Sequence, residues 1–306
     1  MNDFERLIDE YEPKLENSFL SAVRDARENY PPDSERLNGV SDPNNLAINP
    51  LETQLSHGFK EDLGALHDEA IILLLSVLGL PNFHYPESLK IEFIDSQIRE
   101  ISAEVKKAVS LAGPNHKRII ESIGLTPNQA RSLSAYRQAL ETVATKPIYA
   151  SRFKINGTVK HEHMSALPPE VIRNLSASQR NVIRKSIERG LDPDAIDKLV
   201  AKQRKALLAH RANAIARNLA SKVAHTAQQS AVNFAANTGL INANDYRRFW
   251  VTAHDERVRL AHNQTEAMNS KGVAINQPFQ TPLGPVMNPP LEINCRCRAI
   301  IRKIKS

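Results

Sequence analysis

An alanine-rich pattern dominates the second half of the sequence: ALLAHRANAIARNLASKVAHTAQQSAVNFAANTG, from Ala206 to Gly239. Its larger apolar residues recur at helical spacing, among them Ile215, Leu219 and Val223. A glycine after the last periodic residue is a common helix terminator. We therefore predict a long helix here, and its many alanines would let a second helix approach closely.

The composition around this helix favours a folded, mainly helical protein. The chain has 306 residues, 41% hydrophobic content and 5% aromatic residues, with 18 prolines against 11 glycines. Such a chain can build packed cores, and helices separated by stiff connectors fit it better than many short strands. The most apolar run, Ala70 to Leu80, has about half the length needed to cross a bilayer, so we expect no membrane partner.

Helical periodicity and its interruptions divide the chain into four segments. A polar, proline-containing stretch from Asp33 to Pro50 is typical of a loop or linker. The segments are 1–50, an N-terminal helix and linker; 51–125, a helical region; 126–245, a helical region with the long basic helix; and 246–306, a small α+β module. Within the third segment, Thr126-Pro127 is typical of a helix start, and we expect that helix to continue to about Thr145. Ala177 to Arg189 is amphipathic and should end as a helix at Gly190. Between them, RFKINGTV (Arg152 to Val159) is compatible with a short hairpin.

The last segment changes from helical to strand patterning. RRFWV, from Arg247 to Val251, is typical of a strand, and Cys295 to Ile304 indicates a second one. One face of that second strand would carry Cys295, Cys297, Ala299 and Ile301, and the other Arg296, Arg298 and Arg302. The sequence thus predicts a mainly α protein whose helical N-terminal and middle regions precede a small α+β C-terminal module.

Positive charge is concentrated in two parts of the sequence. From Lys198 to Asn244 there are seven lysines or arginines and no acidic residue, and the residues after Glu292 include five lysines or arginines and again no acidic residue. Such runs are often only a solvated helix face and a charged tail, but the missing acids favour a polyanionic partner. The predicted DNA-binding surface comprises Lys198, Lys202, Arg204, Lys205, Arg211, Arg217, Lys222, Arg296, Arg298, Arg302, Lys303 and Lys305.

Three segments of the second half carry a family resemblance. They are RANAIARNLASKVAHTAQQSA (Arg211 to Ala231), WVTAHDERVRLAHNQTEAMNSKG (Trp250 to Gly272) and NCRCRAII (Asn294 to Ile301). In this order they resemble the phage Mu F-like head morphogenesis family, and three ordered segments are more specific than any one of them. The positions that match the family motif are Trp250, Thr252, Asp255, Arg257, Arg259, His262, Gly272, Cys295 and Cys297.

The resemblance implies a structural role in virus assembly. It implies a minor head (capsid) protein of a tailed bacteriophage that associates with the portal protein, with scaffold or major capsid protein, and with packaged double-stranded DNA. The basic residues suit the last partner, because neutralising phosphates releases counterions. The expected location is the virion, at the capsid interior or portal vertex, after assembly in the host cytoplasm. We expect no enzymatic activity; the alternative role in the same setting is an internal protein ejected with the genome.

A catalytic alternative depends on DERVRLAH, from Asp255 to His262. Asp255 and His262 could serve a metal-dependent nuclease or another hydrolase. We favour a structural interpretation, in which Asp255 caps the following helix while Arg257 and Arg259 pair with carboxylates or loop carbonyls. The sequence has no glycine-rich phosphate loop and no serine elbow, so it offers no motif for nucleotide hydrolysis or acyl transfer.

The two cysteines, Cys295 and Cys297, are one residue apart, a spacing that disfavours a disulfide between them. Together with His262 they could supply three ligands to a structural zinc ion, and His254 or Glu292 is the candidate for the fourth. The alternative is a pair of small thiols buried in a core. Structural zinc is therefore the only cofactor that the sequence suggests.

Overall fold

A computed structural model describes residues 3–31, 43–80, 87–113, 115–145, 150–155, 158–164, 167–189 and 191–304. Its helices are α1 (Asp3–Glu28), α2 (Pro43–Leu78), α3 (Glu87–Ser110), α4 (His116–Ser122), α5 (Pro127–Thr145), α6 (Pro169–Arg173), α7 (Ala177–Arg189), α8 (Pro193–Asn237) and α9 (Leu260–Met268). Its strands are β1 (Ala150–Ile155), β2 (Thr158–Met164), β3 (Tyr246–Val251), β4 (Val273–Ala274) and β5 (Arg298–Lys303). The prediction of a mainly α chain that ends in a small α+β module is confirmed. None of the helices in the described part of the chain combines the length and apolarity needed to cross a bilayer.

The chain forms two compact units that are interleaved along the sequence. Unit 1 comprises Met1–Ser21, Gln54–Arg99 and Ala212–Ser306, and unit 2 comprises Ala22–Thr53 and Glu100–Arg211. These boundaries differ from the four consecutive segments predicted above, because α1, α2, α3 and α8 each contribute residues to both units. Periodicity indicates where a helix begins and ends, but not where its packing partner changes.

Helix α2 begins earlier than the sequence predicts. Positions 43–50 are helical, so the prediction of a linker that continues to Pro50 was wrong; positions 32–42 lie outside the described residues. The physical reason is an apolar stripe, since Ile48, Leu51 and Leu55 are buried at helical spacing. Their burial outweighs the backbone hydrogen bond that Pro50 cannot donate.

In unit 1, α1 packs on α2. The Tyr11 hydroxyl donates to Glu69 at 2.7 Å, and the Ser18 hydroxyl donates to Asp62 at 2.9 Å. The fully buried side chains of these helices in unit 1 include Leu15, Phe19, Phe59, Leu63 and Leu66. Apolar burial of this kind is the main force that holds helices together.

In unit 2, helix α5 begins where the sequence predicts. The Gln129 N–H donates to Thr126 Oγ1 at 3.2 Å, and the Thr126 N–H donates to Gln129 Oε1 at 3.0 Å. This reciprocal pair is a capping box, with proline at the first helical position. Both ends of the predicted helix, Thr126-Pro127 and Thr145, are confirmed.

The C-terminal module contains an antiparallel sheet with the strand order β4–β3–β5. Strand β5 begins at Arg298, later than predicted, yet alternating burial already starts at Cys295. The buried cluster beside the sheet consists of Trp250, Phe279, Cys295, Cys297 and Ala299. In unit 2, β1 and β2 form a separate antiparallel hairpin, which confirms the hairpin expected from RFKINGTV.

Candidate functional site

His262, Cys295 and Cys297 come together inside unit 1. His262 lies on α9, and the two cysteines lie in the segment that leads into β5. His262 Nδ1 is 3.2 Å from Cys297 Sγ and 3.7 Å from Cys295 Sγ. The ligand atoms of the three buried residues all lie within 4.8 Å of one another. The residues predicted as metal ligands therefore share one site.

A tight turn before β5 presents the two sulfur atoms to His262. Asn294 adopts a left-handed conformation with φ 59°, which asparagine tolerates better than most residues. Its backbone N–H donates to Asn218 Oδ1 on α8 at 3.2 Å, and the Cys297 N–H donates to Cys295 Sγ at 3.4 Å. The backbone thus fixes both cysteines without a covalent bond between them.

A carboxylate holds the other nitrogen of His262. Nε2 lies 3.1 Å from Glu292 Oε2, and because a carboxylate only accepts, Nε2 donates this hydrogen bond while Nδ1 faces the two sulfur atoms. Arg259 supports this arrangement, since its guanidinium donates to the Ile293 carbonyl at 3.0 Å and lies 3.8 Å from Glu292. Glu292 therefore orients His262 and does not occupy the fourth ligand position for which the sequence suggested it.

His254, the other candidate for a fourth ligand, pairs with Glu266 instead. Its Nε2 lies 3.2 Å from Glu266 Oε1, and its side chain is 64% exposed. The second oxygen of Glu266 accepts a hydrogen bond of 2.8 Å from the Thr252 hydroxyl. Within the described ranges, the ligand cluster contains His262 and the two cysteines and no fourth side chain.

The two thiols share their protons unequally. A hydrogen bond from Cys297 lowers the pKa of Cys295 to about 6, whereas the same bond, together with burial, raises the pKa of Cys297. Thiols that interact this strongly titrate as a pair. The pair therefore loses its first proton readily and its second with difficulty.

Trp250 and Gly272, two positions of the family motif, support the module from its core. Trp250 is buried and meets Phe279 edge to face, with ring centroids 5.3 Å apart. Gly272 has φ 70°, and a Cβ atom there would lie 2.9 Å from the Phe249 ring. A side chain at position 272 would therefore be strained by its backbone conformation and would also collide with β3.

Arg248 is a structural residue that the sequence analysis missed. Its buried guanidinium donates to the Gln277 carbonyl at 3.2 Å, to Asn288 Oδ1 at 2.7 Å and to the Met287 carbonyl. It also lies 4.6 Å from the centre of the Phe279 ring, and burial lowers its pKa to about 10. The available signal was its position two residues before Trp250, on the same face of β3.

Asp255 has a structural partner but does not cap α9, so that prediction was wrong. The N-cap position belongs to Arg259. Asp255 accepts two hydrogen bonds from the Arg296 guanidinium, at 2.5 and 2.7 Å, and one from the Arg257 N–H at 3.0 Å. The bond from Arg296 holds the pKa of Asp255 below its usual range. Because this carboxylate is engaged, the geometry gives no support to a catalytic pair of Asp255 and His262.

Two cavities of unit 1 adjoin the cysteines. The first, of about 300 Å³, is lined by His262, Cys297, Arg217, Arg257, Arg259 and Arg296 among others. The second, of about 240 Å³, is lined by both cysteines, by Arg296 and by residues of α1. Arg217 is paired with Glu12 at 3.0 Å, which partly neutralises the first cavity. Arg259 and Arg296 also lie beside carboxylates, so most of the positive charge around the first cavity is compensated.

Three lysines predicted to bind DNA form an exposed row on α8 in unit 2. Lys198, Lys202 and Lys205 are exposed, and their spacing brings them onto one helix face. None of the three forms an ion pair with a residue in the described ranges. We call this row the lysine face.

Arg204 and Arg211, by contrast, do not belong to any surface, so their assignment as DNA-binding residues was wrong. Arg204 donates to the carbonyls of Glu121 and Ile123, at 2.9 and 2.8 Å, and Arg211 donates to the Gly124 carbonyl at 3.0 Å. Burial lowers the pKa of Arg204 to about 9 and that of Arg211 to about 10. Both remain charged at neutral pH and hold the connection between α4 and α5.

The other predicted basic residues lie in unit 1, and most have partners. Lys222 donates to Gln97 at 2.7 Å, and Arg298 pairs with Glu5. Arg217 and Arg296 are engaged with carboxylates as described above. Arg302 and Lys303 are exposed at the end of β5, and Lys305 lies outside the described residues.

The family comparison covers most of these features. Residues 178–300 match the model of the family described as Phage Mu protein F like protein. No curated protein and no solved structure shows a significant match. The matched range extends from α7 into β5 and includes the lysine face, His262 and both cysteines. The resemblance stated above is therefore confirmed over residues 178–300, which are similar to the Phage Mu protein F like family.

Proposed function

We propose that this chain is a minor head protein of a tailed bacteriophage that acts in head morphogenesis. The observation that carries the proposal is the match of residues 178–300 to the Phage Mu protein F like family. In this role the protein associates with the portal, with scaffold or major capsid protein, and with packaged double-stranded DNA. It resides in the virion after assembly in the host cytoplasm, and it acts by binding and not by catalysis.

The lysine face supports the DNA part of this proposal. Lys198 and Lys205 are seven positions apart on a helix, so the row extends about 10 Å along the helix axis. Along the axis of DNA, the phosphates of one strand recur about every 3.4 Å, so a row of this length spans about three of them. Lysines without acidic partners can neutralise these phosphates and release counterions. No base would be read, so binding should depend on salt and not on DNA sequence.

The test compares two triple variants of the full-length protein in DNA binding. The first replaces Lys198, Lys202 and Lys205 with glutamine. The control makes the same charge change at exposed lysines elsewhere, Lys107, Lys185 and Lys271. In a plot of the logarithm of the binding constant against the logarithm of salt concentration, we expect the first variant to make the negative slope less steep by about 3. The control should leave this slope nearly unchanged. Equal effects of the two variants, or no DNA binding at low salt, would contradict the DNA contact.

The same protein tests the remaining parts of the proposal. Co-sedimentation with portal rings of the same phage is expected, and protein that never pellets with the rings would contradict portal association. DNA incubated with the protein and Zn²⁺, Mg²⁺ or Mn²⁺ should stay intact. Cleavage that is lost in His262→Ala would instead establish the nuclease alternative.

A further inference from the structure

We propose that His262 Nδ1, Cys295 Sγ and Cys297 Sγ bind one zinc ion, with a solvent molecule from the adjoining cavity as the fourth ligand. This site is independent of the head-assembly role. It would be a small metal centre that joins α9 to the start of β5.

The spacing of the donor atoms supports this site. Tetrahedral zinc, with Zn–S of about 2.3 Å and Zn–N of about 2.0 Å, separates its sulfur and nitrogen ligands by about 3.6 Å. The sulfur atoms of Cys297 and Cys295 lie 3.2 and 3.7 Å from His262 Nδ1. Small shifts of buried side chains would thus complete the coordination, with no rearrangement of the backbone.

The surroundings of the three ligands match those of metal sites more closely than those of an ordinary core. Metal-binding histidines usually donate their second N–H to a carboxylate or carbonyl, and Glu292 lies at that position, 3.1 Å from Nε2. The Cys297 N–H donates to Cys295 Sγ, and such a hydrogen bond stabilises the negative charge of a metal-binding thiolate. Two thiolates and one imidazole form a donor set that suits zinc, whereas magnesium and calcium prefer oxygen ligands.

Solvent is the fourth ligand because, among the described residues, no further side chain lies in the ligand cluster. Glu292 lies on the outer side of the His262 ring, and His254 pairs with Glu266. His262 and Cys297 both line the cavity of about 300 Å³, so water reaches the metal from there.

The bound ion would cross-link distant parts of the chain. His262 and Cys295 are 33 positions apart, and the proline-rich stretch from Gln277 to Pro290 lies between them. Closing a loop of this length removes conformations from the unfolded chain and so stabilises the folded module. We therefore expect the metal to contribute to stability.

The test measures the metal content of the full-length protein, purified without chelators under reducing conditions. We expect about one zinc per chain by mass spectrometry, and Co²⁺ substitution should give sulfur-to-cobalt charge-transfer absorption. Cys295→Ser, Cys297→Ser and His262→Gln should each lose most of the metal. His254→Gln is the matched control, and it should keep the metal because His254 lies outside the ligand cluster.

Glu292→Gln distinguishes a positioning residue from a ligand. It should keep the metal but weaken its affinity by about 10-fold to 100-fold, as expected for a group that acts through His262. If the cysteine variants do not fold, Co²⁺ titration of the unchanged protein still decides the question. Absence of both zinc and cobalt–sulfur absorption in the unchanged, reduced protein would overturn the proposal.

Discussion

Two buried histidines of unit 1, His225 and His262, have similar exposure and different chemistry. They are 1% and 3% exposed. His225 Nδ1 donates to the Ser221 carbonyl at 2.7 Å, and its ring meets Phe4 edge to face at 4.9 Å. His262 has a carboxylate on one nitrogen and two thiols beside the other. Burial alone therefore does not indicate a site, whereas partners on both ring nitrogens do.

The largest expected effect is metal removal at His262. An ion present at about 1,000 times its dissociation constant stabilises the folded protein by about 4 kcal/mol. Chelation should therefore lower the thermal midpoint of the zinc-loaded protein by roughly 10 °C, measured by calorimetry. His225→Gln should respond to the chelator as the unchanged protein does, and His262→Gln should not respond. If the chelator does not change the thermal midpoint of the unchanged protein, the proposed difference between the two histidines is contradicted.

The second effect is the pH dependence of stability at His225. Burial lowers the pKa of His225 from 6.5 to about 4. Between these values the unfolded chain binds the proton and the folded chain does not, so stability falls as pH decreases from about 6.5 to about 4. The contribution is about 3 kcal/mol.

Urea unfolding at several pH values measures this contribution. His225→Gln should flatten the dependence in that window relative to the unchanged protein. The same substitution at the exposed His210 is the control and should leave the slope unchanged. Identical slopes for His225→Gln and the unchanged protein would mean that burial does not lower the pKa of His225.

The smallest effect concerns the ring contact of His225. Phe4→Leu removes the edge-to-face contact and should lower the free energy of unfolding by about 1 kcal/mol. Because Phe4 is not a hydrogen-bond partner of His225, the pH window should stay in place. Phe93→Leu, at a half-buried position on α3, is the matched control and should cost less. A shifted pH window in Phe4→Leu would show that Phe4 sets the protonation of His225.

Local patterns predicted much of the fold. The ends of α5 and α7 followed from Thr126-Pro127 and from amphipathic spacing, because caps and periodicity are encoded in neighbouring residues. Alternation from Cys295 to Ala299 also predicted which side chains are buried. Helix α2 was predicted too short because the prolines around position 50 resemble a linker, whereas the buried stripe depends on partners elsewhere in the chain.

The site was predicted in part. His262, Cys295 and Cys297 could be grouped from residue type and from the family motif, but the role of Glu292 depends on which ring nitrogen faces the thiols. The burial of Arg204 and Arg211 could not be predicted, because their carbonyl partners lie more than eighty positions away. A basic stretch without acidic residues has the same sequence pattern whether its arginines face solvent or donate to buried backbone carbonyls.

Arg248 gives the proline-rich stretch between Gln277 and Asn288 a fixed shape. Its guanidinium donates hydrogen bonds to three oxygen atoms of that stretch and so holds the stretch against β3. We therefore expect the stretch to keep one conformation on the surface of the module. A molecule that docks there would meet a preformed contour and would lose little conformational entropy in ordering it. Binding to this stretch would then depend on shape complementarity. Replacing its prolines, Pro278, Pro282 and Pro285, would weaken such binding more than changing nearby charged residues.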